Sequence, residues 1–239
     1  MNKINLLGIN LVKAEKTEIL SRLEGFLTDG KRHILATPNP EMLLAALKDE
    51  EFFRILNKAD MAIPDGTGLK FAALALGQSL KIATGADLTG DILELSRKRK
   101  IKVAVMNWEK SLSRKEDLAR ALNNKYPGLA FEILAVGRSA GEAPVTDAEI
   151  IFANQGAPFQ EKFIYHGLAN WPNARIAIGV GGTFDFLTGK IKRAPRFLRA
   201  LGLEWFWRLA REPKRYKRVI NAVIVFPAKF IAWRFFDQR

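Results

Sequence analysis

Apolar residues follow two different spacings that alternate along most of the chain. Between short β-like runs, apolar side chains recur at helical spacing, as at Ile19, Leu23 and Phe26. Strands that alternate with helices predict an α/β fold with a Rossmann-like, mostly parallel sheet flanked by helices. The predicted strands are Ile4–Leu11, His33–Thr37, Asp60–Pro64, Ile101–Met106, Ala130–Val136, Ile150–Ala153 and Arg175–Val180.

Polar residues follow two of these strands directly. The second strand runs into residues 37–41 (TPNPE) and the third into residues 64–68 (PDGTG). Because ligands of parallel α/β sheets bind beyond the carboxyl ends of the strands, Thr37, Asn39 and Asp65 are expected to face one crevice. Burial at a strand end raises the pKa of a carboxyl group, so Asp65 is the candidate general base.

Each of these polar residues also has a structural interpretation. Asp65 is placed to cap a helix that starts near Gly66, as aspartate often does. Thr37 and Asn39 are typical of a turn built around two prolines. Local sequence leaves both interpretations open.

Two glycine-rich turns follow predicted strands at residues 66–68 (GTG) and 179–182 (GVGG). Their backbone N–H groups, including those of Gly181 and Gly182, are candidates to hold phosphate oxygens at the next helix start. Phe71 and Phe184 stand where a dinucleotide fingerprint needs its third small residue, so neither turn predicts nicotinamide binding. The alternative is a tight turn without a ligand.

Two further segments look like helix starts. In residues 156–162 (GAPFQEK), Pro158 suits a first helical turn, and Gln160 is a candidate to bind a sugar hydroxyl, or else a surface residue. Residues 84–87 (TGAD) have the same character, with Asp87 predicted to cap the helix and Thr84 a candidate for substrate binding.

Positive charge is concentrated at the C-terminal end. From Lys190 onward there are 14 Lys or Arg and 3 Asp or Glu, which is +11 of the total +13. The last fifty residues also contain ten aromatic side chains. Basic and aromatic residues together indicate docking on a polyanion, and so apolar a segment favours an anionic membrane over nucleic acid. We therefore divide the chain into an α/β catalytic region, 1–189, and a helical, basic and aromatic C-terminal appendage, 190–239.

Within the appendage, the longest nearly apolar run is Val219–Ala228, which Asn221 and Pro227 interrupt. A run this short predicts a chain that lies on a membrane without crossing it, with Pro227 kinking the segment or starting a new helix. The aromatic residues either enter the headgroup boundary or pack back on the α/β core. They are Phe226, Phe230, Trp233, Phe235 and Phe236.

The amino-acid composition excludes several kinds of catalytic and metal-binding site. The chain has no cysteine, which excludes disulfides, thiolate zinc sites and a cysteine nucleophile, and makes an intracellular setting the default. Its two histidines, His33 and His166, exclude a histidine-rich metal site. The N-terminus has no charged leader followed by a long apolar stretch, so no signal peptide is predicted.

The order and spacing of several motifs resemble the WecG/TagA/CpsF family of bacterial glycosyltransferases, over about residues 1–218. The chain contains, in this order, TPNPEMLLAA, IPDGTGL, TGADL, GAPFQEK, GVGGTFDFLTGK, RAPRFLRALGLEWFWRL and REPKRYKR. The resemblance implies inverting transfer of a sugar, commonly N-acetylmannosamine or its uronic acid, from a UDP-sugar to a lipid-diphosphate-linked acceptor. It also implies action at the cytoplasmic membrane face, in the synthesis of surface polysaccharides or teichoic acid linkage units.

The resemblance assigns the base to Asp65 and the pocket threonine and asparagine to Thr37 and Asn39. Gln160 corresponds to the glutamine of the G-x-P-x-Q-E motif. The arginines implied to reach the nucleotide diphosphate are Arg208, Arg215 and Arg218. A cationic face that binds only lipid phosphate is the alternative for these arginines.

Three departures from the family pattern concern the sugar and the acceptor. Ile82 stands where the family often has an arginine, so that charge is missing unless Lys81 replaces it. The turn-rich segment Gly137–Ile150 is shorter than usual. Residues 154–156 (NQG) stand where the family tends to have Gly-Leu-Gly.

No two aspartates lie two residues apart, so the Asp-x-Asp metal motif of many nucleotide-sugar transferases is absent. We therefore expect no cofactor and no metal, with arginines neutralising the leaving UDP. The expected partners are a UDP-sugar, a polyprenyl-diphosphate-linked acceptor and an anionic membrane, with no nucleic acid. The sequence leaves open whether the protein forms a homo-oligomer. The other classes considered are a catalytically silent membrane scaffold and a nucleic-acid-binding α/β protein.

Overall fold

A computed structural model describes residues 1–139 and 143–237. Residues 140–142, inside the turn-rich segment named above, and residues 238–239 of the appendage lie outside the described part. The strands are β1 (Asn2–Leu6), β2 (Ile9–Lys13), β3 (His33–Ala36), β4 (Met61–Ala62), β5 (Val103–Trp108), β6 (Phe131–Val136), β7 (Ile150–Ala153) and β8 (Ile176–Gly179).

Helices connect the strands and form the C-terminal appendage. The first seven are α1 (Lys16–Phe26), α2 (Pro40–Ala46), α3 (Glu50–Lys58), α4 (Thr67–Ala75), α5 (Gly85–Arg99), α6 (Lys115–Lys125) and α7 (Phe159–Gly167). The later ones are α8 (Thr183–Leu187), α9 (Arg196–Ala200), α10 (Glu204–Arg211), α11 (Tyr216–Ile220) and α12 (Phe226–Ala232).

Six of the strands form one parallel sheet, in the order β4-β3-β8-β7-β5-β6. Every residue of the central strands β3, β7 and β8 is buried, because helices cover both faces. Two hydrophobic clusters, one on each face, make up the core. The predicted Rossmann-like α/β fold is confirmed.

The prediction of a single first strand over Ile4–Leu11 is wrong. β1 and β2 form an antiparallel hairpin of their own, which turns at Leu7 and Gly8. Both turn residues have positive φ, 53° and 80°. Leucine rarely adopts this conformation. The sequence at this turn also lacks the Asn-Gly or Asp-Gly pair that predicts a tight hairpin turn.

The appendage ends in one long helix, within which Pro227 lies at the start of a new α-helical segment, one of the two alternatives predicted for it. Residues 213–236 form a helix of 24 residues. A wider π-helical turn, Asn221–Val225, precedes the proline, which lies in the first turn of α12. Proline is tolerated where the regular hydrogen-bond pattern is already interrupted.

This helix also corrects the expectation that no apolar segment of the chain is long enough to cross a membrane. Among the described residues, one helix, Pro213–Phe236, has the length and apolar composition needed to span a bilayer. Only 11% of its most apolar window is buried against the rest of the protein. Length and composition alone allow either a spanning or a surface-bound arrangement.

The interpretation that the C-terminal aromatic residues pack back on the α/β core is confirmed for part of the set, and membrane contact by the others stays a prediction. Phe226 and Phe230 are 1% and 4% exposed and belong to the hydrophobic core beside α2 and α4. Phe235 and Phe236 are 62% and 79% exposed. The helix is therefore anchored to the α/β region by one aromatic pair and presents another to its surroundings.

Candidate active site

The carboxyl ends of β3 and β4 meet the start of α5. The backbone N–H of Asp65 donates to the carbonyl of Pro38 at 2.8 Å, which joins the two strand ends. The N–H of Gly85 donates to Asp65 Oδ2 at 3.1 Å. A β-carbon on Gly85 would lie 3.1 Å from Thr37 Oγ1 and 3.7 Å from Asp65 Oδ2. Thr37 and Asp65 therefore lie close together across a residue that has no side chain.

The capping interpretation of Asp65 is wrong, whereas that of Asn39 is confirmed. α4 begins after Gly66 without a side-chain cap, and the carboxylate of Asp65 accepts from α5 instead. Asn39 caps α2, because its Oδ1 accepts the N–H of Met42 at 3.0 Å. The asparagine is thus half-buried at the crevice and its carbonyl oxygen is already engaged.

Burial dominates the electrostatics of Asp65. Desolvation raises the pKa of its carboxyl group to about 6, against the lowering effect of the Gly85 hydrogen bond. Glu204 raises this pKa further, while Arg208 and Arg193 lower it. A group with a pKa of about 6 is ionised at neutral pH and still basic enough to take a proton, which suits a general base.

The appendage brings its arginines to the same edge of the sheet. Burial and the charges of Arg215 and Arg218 lower the pKa of Arg208 to about 10, and burial also lowers that of Arg215. The Arg208 guanidinium lies over the ring of Phe186, 5.1 Å from its centroid. Arg218 pairs with Glu41 of α2 at 2.7 Å.

The positive charges of these three arginines repel one another, and burial removes part of the hydration of Arg208 and Arg215. Glu212 is near two of them, at 3.2 Å from Arg215 and 3.8 Å from Arg208. Glu41 pairs with Arg218, and Glu204 also acts electrostatically on Arg208. Guanidinium groups that are partly desolvated bind an anion more strongly than exposed ones, and paired oxygens of a diphosphate match guanidinium geometry.

Gln160 lies at the predicted edge but is buried, at 4% exposure. Its Oε1 accepts the N–H groups of Gly156 and Gly181, at 3.2 and 2.9 Å. Its Nε2 donates to Glu161, whose pKa burial raises to about 7. Gln160 thus holds together the loops that follow β7 and β8, and its contact with a sugar stays a prediction.

In the glycine-rich turn after β8, one of the two N–H groups predicted to bind phosphate already donates to a side chain. The Gly181 N–H already donates to Gln160, and Gly182 precedes the five-residue helix α8. Phosphate binding by these two glycines stays a prediction.

Thr84 rather than Asp87 caps α5, since Thr84 Oγ1 accepts the Asp87 N–H at 3.2 Å. The Asp87 carboxylate is instead held by Arg193, which lies between α8 and α9 and which sequence reasoning missed. Lys81 does not fill the place of the absent arginine, because its side chain is 63% exposed and pairs with Glu15. Ile82 packs against the hydrophobic core.

Asn154 explains one departure from the family pattern. Its Oδ1 accepts the N–H of Trp108 at 2.6 Å and its Nδ2 donates to Asn107 at 2.7 Å. These bonds fasten the end of β7 to the end of β5. Trp108 in turn carries the Arg138 guanidinium 4.0 Å above its ring, against the ring of Phe159 on the other side.

Among residues 1–139 and 143–237, no three His, Asp or Glu side chains are grouped so as to hold a metal ion. The cationic groups of the site are therefore the guanidinium groups described above. Metal independence stays a prediction.

A parallel sheet with a raised-pKa carboxylate and clustered arginines at one edge is an arrangement suited to transfer from a phosphorylated donor. Residues 4–239 match the model of the glycosyl transferase WecG/TagA/CpsF family. The chain belongs to this family, as its motifs indicated, and is a glycosyltransferase.

Two similar proteins come from Bacillus subtilis and Staphylococcus aureus. One from Bacillus subtilis (strain 168) is 29% identical over 222 residues, covering 90% of this chain and 86% of the relative. One from Staphylococcus aureus (strain MRSA252) is 25% identical over 231 residues, covering 91% and 88%. Both are named N-acetylglucosaminyldiphosphoundecaprenol N-acetyl-beta-D-mannosaminyltransferase.

Asp65→Asn is expected to stabilise the protein at pH 8 and to have little effect at pH 4. The pKa of Asp65 is raised from 3.8 to about 6, so folding takes up a proton between these values and wild-type stability falls as pH rises through them. Above this window the gain approaches about 3 kcal/mol as an upper limit. Urea unfolding at pH 4, 6 and 8 measures it.

Asp147→Asn is the matched control. Its carboxylate is 68% exposed and its pKa is lowered by the hydrogen bond to Lys102, so amidation there brings no gain at pH 8. An Asp65→Asn variant with wild-type stability at all three pH values would contradict the burial of a charged carboxylate.

Proposed function

We propose that this glycosyltransferase moves a sugar from a UDP-sugar to a lipid-diphosphate-linked acceptor, with inversion and without a metal ion. The donor sugar is of the N-acetylmannosamine type or a related hexose or uronic acid, in line with the names of the relatives. The observation that carries the proposal is that Thr37 and half-buried Asp65 lie side by side at the strand ends, within electrostatic reach of Arg208 from the appendage.

In the proposed reaction, Asp65 accepts the proton of the acceptor hydroxyl while the acceptor oxygen attacks the anomeric carbon. The new carbon–oxygen bond forms on the face opposite to UDP, and the bond from the anomeric carbon to the diphosphate oxygen breaks. A single displacement inverts the configuration. Thr37 lies beside the carboxylate and positions the reacting groups.

The departing diphosphate needs positive charge as it leaves. Arg208 and Arg215 are partly desolvated, so a diphosphate gains more from them than from exposed arginines. Arg218 completes the cluster from the next helical turn. Because the appendage supplies all three, substrate binding and the fold of the appendage are coupled.

The long C-terminal helix is proposed to hold the enzyme on the anionic inner face of the plasma membrane, where its lipid-linked acceptor resides. Its outward side carries apolar residues that are more than half exposed, such as Ile224, Ile231 and Phe235. The net charge of +13 favours anionic lipid, and each basic residue near such a surface contributes about 1 kcal/mol.

The central test of the function is transfer from a panel of UDP-sugars to a water-soluble, short-chain GlcNAc-diphosphate lipid. Wild type is expected to transfer one sugar of the panel. Asp65→Asn lowers kcat by about 10²–10⁴-fold, because a positioned base is lost while its hydrogen bond from Gly85 is kept. Asp60→Asn, at the other end of β4, is the control. No transfer by wild type supports the silent scaffold, and more than half of wild-type kcat in Asp65→Asn excludes Asp65 as the base.

Arg215→Ala is expected to weaken UDP binding about tenfold or more, because one charge-assisted pair is worth about 1.5–3 kcal/mol. Isothermal calorimetry with EDTA present measures it, and transfer by wild type continues under the same conditions. Arg211→Ala is the control, since Arg211 is exposed and lies over Trp207 of its own helix, α10. Equal UDP affinity in the two variants assigns Arg215 to lipid contact. Activity that requires added Mg²⁺ or Mn²⁺ excludes the metal-free mechanism.

The two aromatic pairs of the last helix are expected to have separable effects. Phe226→Ala lowers the free energy of unfolding by about 3–5 kcal/mol, as for a buried phenylalanine. Joint replacement of Phe235 and Phe236 by Ser leaves stability unchanged and weakens sedimentation with anionic liposomes. Denaturant unfolding and liposome sedimentation measure both variants. Full sedimentation of the Ser variant would contradict membrane docking by this end of the helix.

A further inference from the structure

Arg193 lies in the connection between α8 and α9 and is the first residue of the motif RAPRFLRALGLEWFWRL, but no role was assigned to it above. Its two terminal nitrogens form a fork on the Asp87 carboxylate, at 2.7 and 2.9 Å, and one of them also donates to Thr84 Oγ1 at 3.0 Å. The side chain is 24% exposed. The Asp87 side chain is 43% exposed, so the pair is partly shielded from water, and its bidentate geometry makes it more directional than a single-contact surface ion pair.

The two groups that Arg193 holds define the first turn of α5. Thr84 caps this helix, and its hydroxyl also donates to Asp87 Oδ2 at 2.7 Å. The next residue, Gly85, donates its N–H to Asp65. The fork is therefore connected to Asp65 through one turn of helix, and any shift of that turn changes the hydrogen bond on the carboxylate.

Arg193 also faces the other side of the crevice. Its Nε lies 3.8 Å from Glu204, the first residue of α10. The neighbouring carbonyl of Lys192 accepts the indole N–H of Trp207, also in α10, at 3.1 Å. The connection thus holds α10, whose Arg208 belongs to the arginine cluster, while it holds α5.

We propose that Arg193, Asp87 and Thr84 form a clamp that fixes the first turn of α5 against Asp65 and α10 above it. Arg193 is then a positioning residue: it acts on the reaction through Gly85 and Arg208. The clamp is a property of the protein without substrate, and its effect on transfer rests on the proposed function.

The direction of the effect on Asp65 follows from its surroundings. The Gly85 hydrogen bond lowers its pKa, as do the charges of Arg193 and Arg208, whereas burial and Glu204 raise it. Loss of the fork removes one cation and loosens the Gly85 bond. Both changes move the titration of Asp65 upward, which a simple loss of global stability does not do.

The test compares Arg193→Met with Arg196→Met, an exposed arginine in the same connection region at the start of α9. Amide hydrogen exchange of the substrate-free proteins is expected to show faster exchange at the start of α5 and in α10 for Arg193→Met alone. Carbon-13 titration of the aspartate carboxyl groups is expected to move the Asp65 midpoint upward in the same variant.

Transfer to the water-soluble acceptor gives the third readout. Misplacement of the reacting groups costs on the order of 10²-fold in kcat, and the acid limb of its pH profile moves upward with Asp65. Arg193→Lys, which keeps charge but not the fork, is expected to recover only part of this loss. Asp87→Asn should reproduce the exchange and titration changes if Arg193→Met does not fold.

Unchanged exchange and an unchanged Asp65 midpoint in both Arg193→Met and Asp87→Asn would overturn the clamp. Absence of transfer in wild type would instead contradict the proposed function, while exchange and titration still report on the clamp.

Discussion

The packing of Phe226 and Phe230 into the core is the contact on which the arrangement of the site depends. The appendage carries most of the net positive charge, and like charges drive such a segment away from itself and into water. Two buried phenyl rings offset this repulsion by removing a large apolar area from solvent. Since Arg215 and Arg218 precede this anchor in the same helix, their positions at the crevice follow from it.

The site then gathers charges that each destabilise the protein in the absence of substrate. A carboxylate is desolvated at a strand end, and burial also desolvates the guanidinium groups of Arg208 and Arg215. Burial moves the pKa of Asp65 up and that of Arg208 down, each toward neutrality. In the proposed reaction, a phosphorylated donor carries negative charge to the arginines, and an acceptor hydroxyl offers a proton to Asp65. The unfavourable arrangement of the free protein is thus complementary to the proposed reaction.

The features of the fold that follow from hydrophobic periodicity and from sheet topology could be predicted from the sequence. Parallel strands end at one edge, so Thr37 and Asp65 were placed together correctly. The hairpin at Leu7 was missed because a leucine with positive φ has no local signature. Arg193 was missed because its partner Asp87 is 106 residues away. Gln160 shows the same limit, since its motif marks a helix start but does not reveal that tertiary packing occupies its amide. The last helix continues through Pro227 by way of a π-turn, which the hydropathy of the sequence does not indicate.

That π-turn sets the angular relation between the two halves of the last helix. A π-turn accommodates one more residue than an α-turn, and one residue corresponds to about 100° around the axis. Side chains before Asn221 and after Val225 therefore do not follow one continuous stripe. The half that carries Arg215 and Arg218 is thus rotated relative to the half beyond Val225, in which Phe235 and Phe236 lie in a second π-helical turn, Trp233–Asp237. Evolution of this segment is constrained in residue count as well as in residue type, because an insertion or deletion there rotates one half against the other.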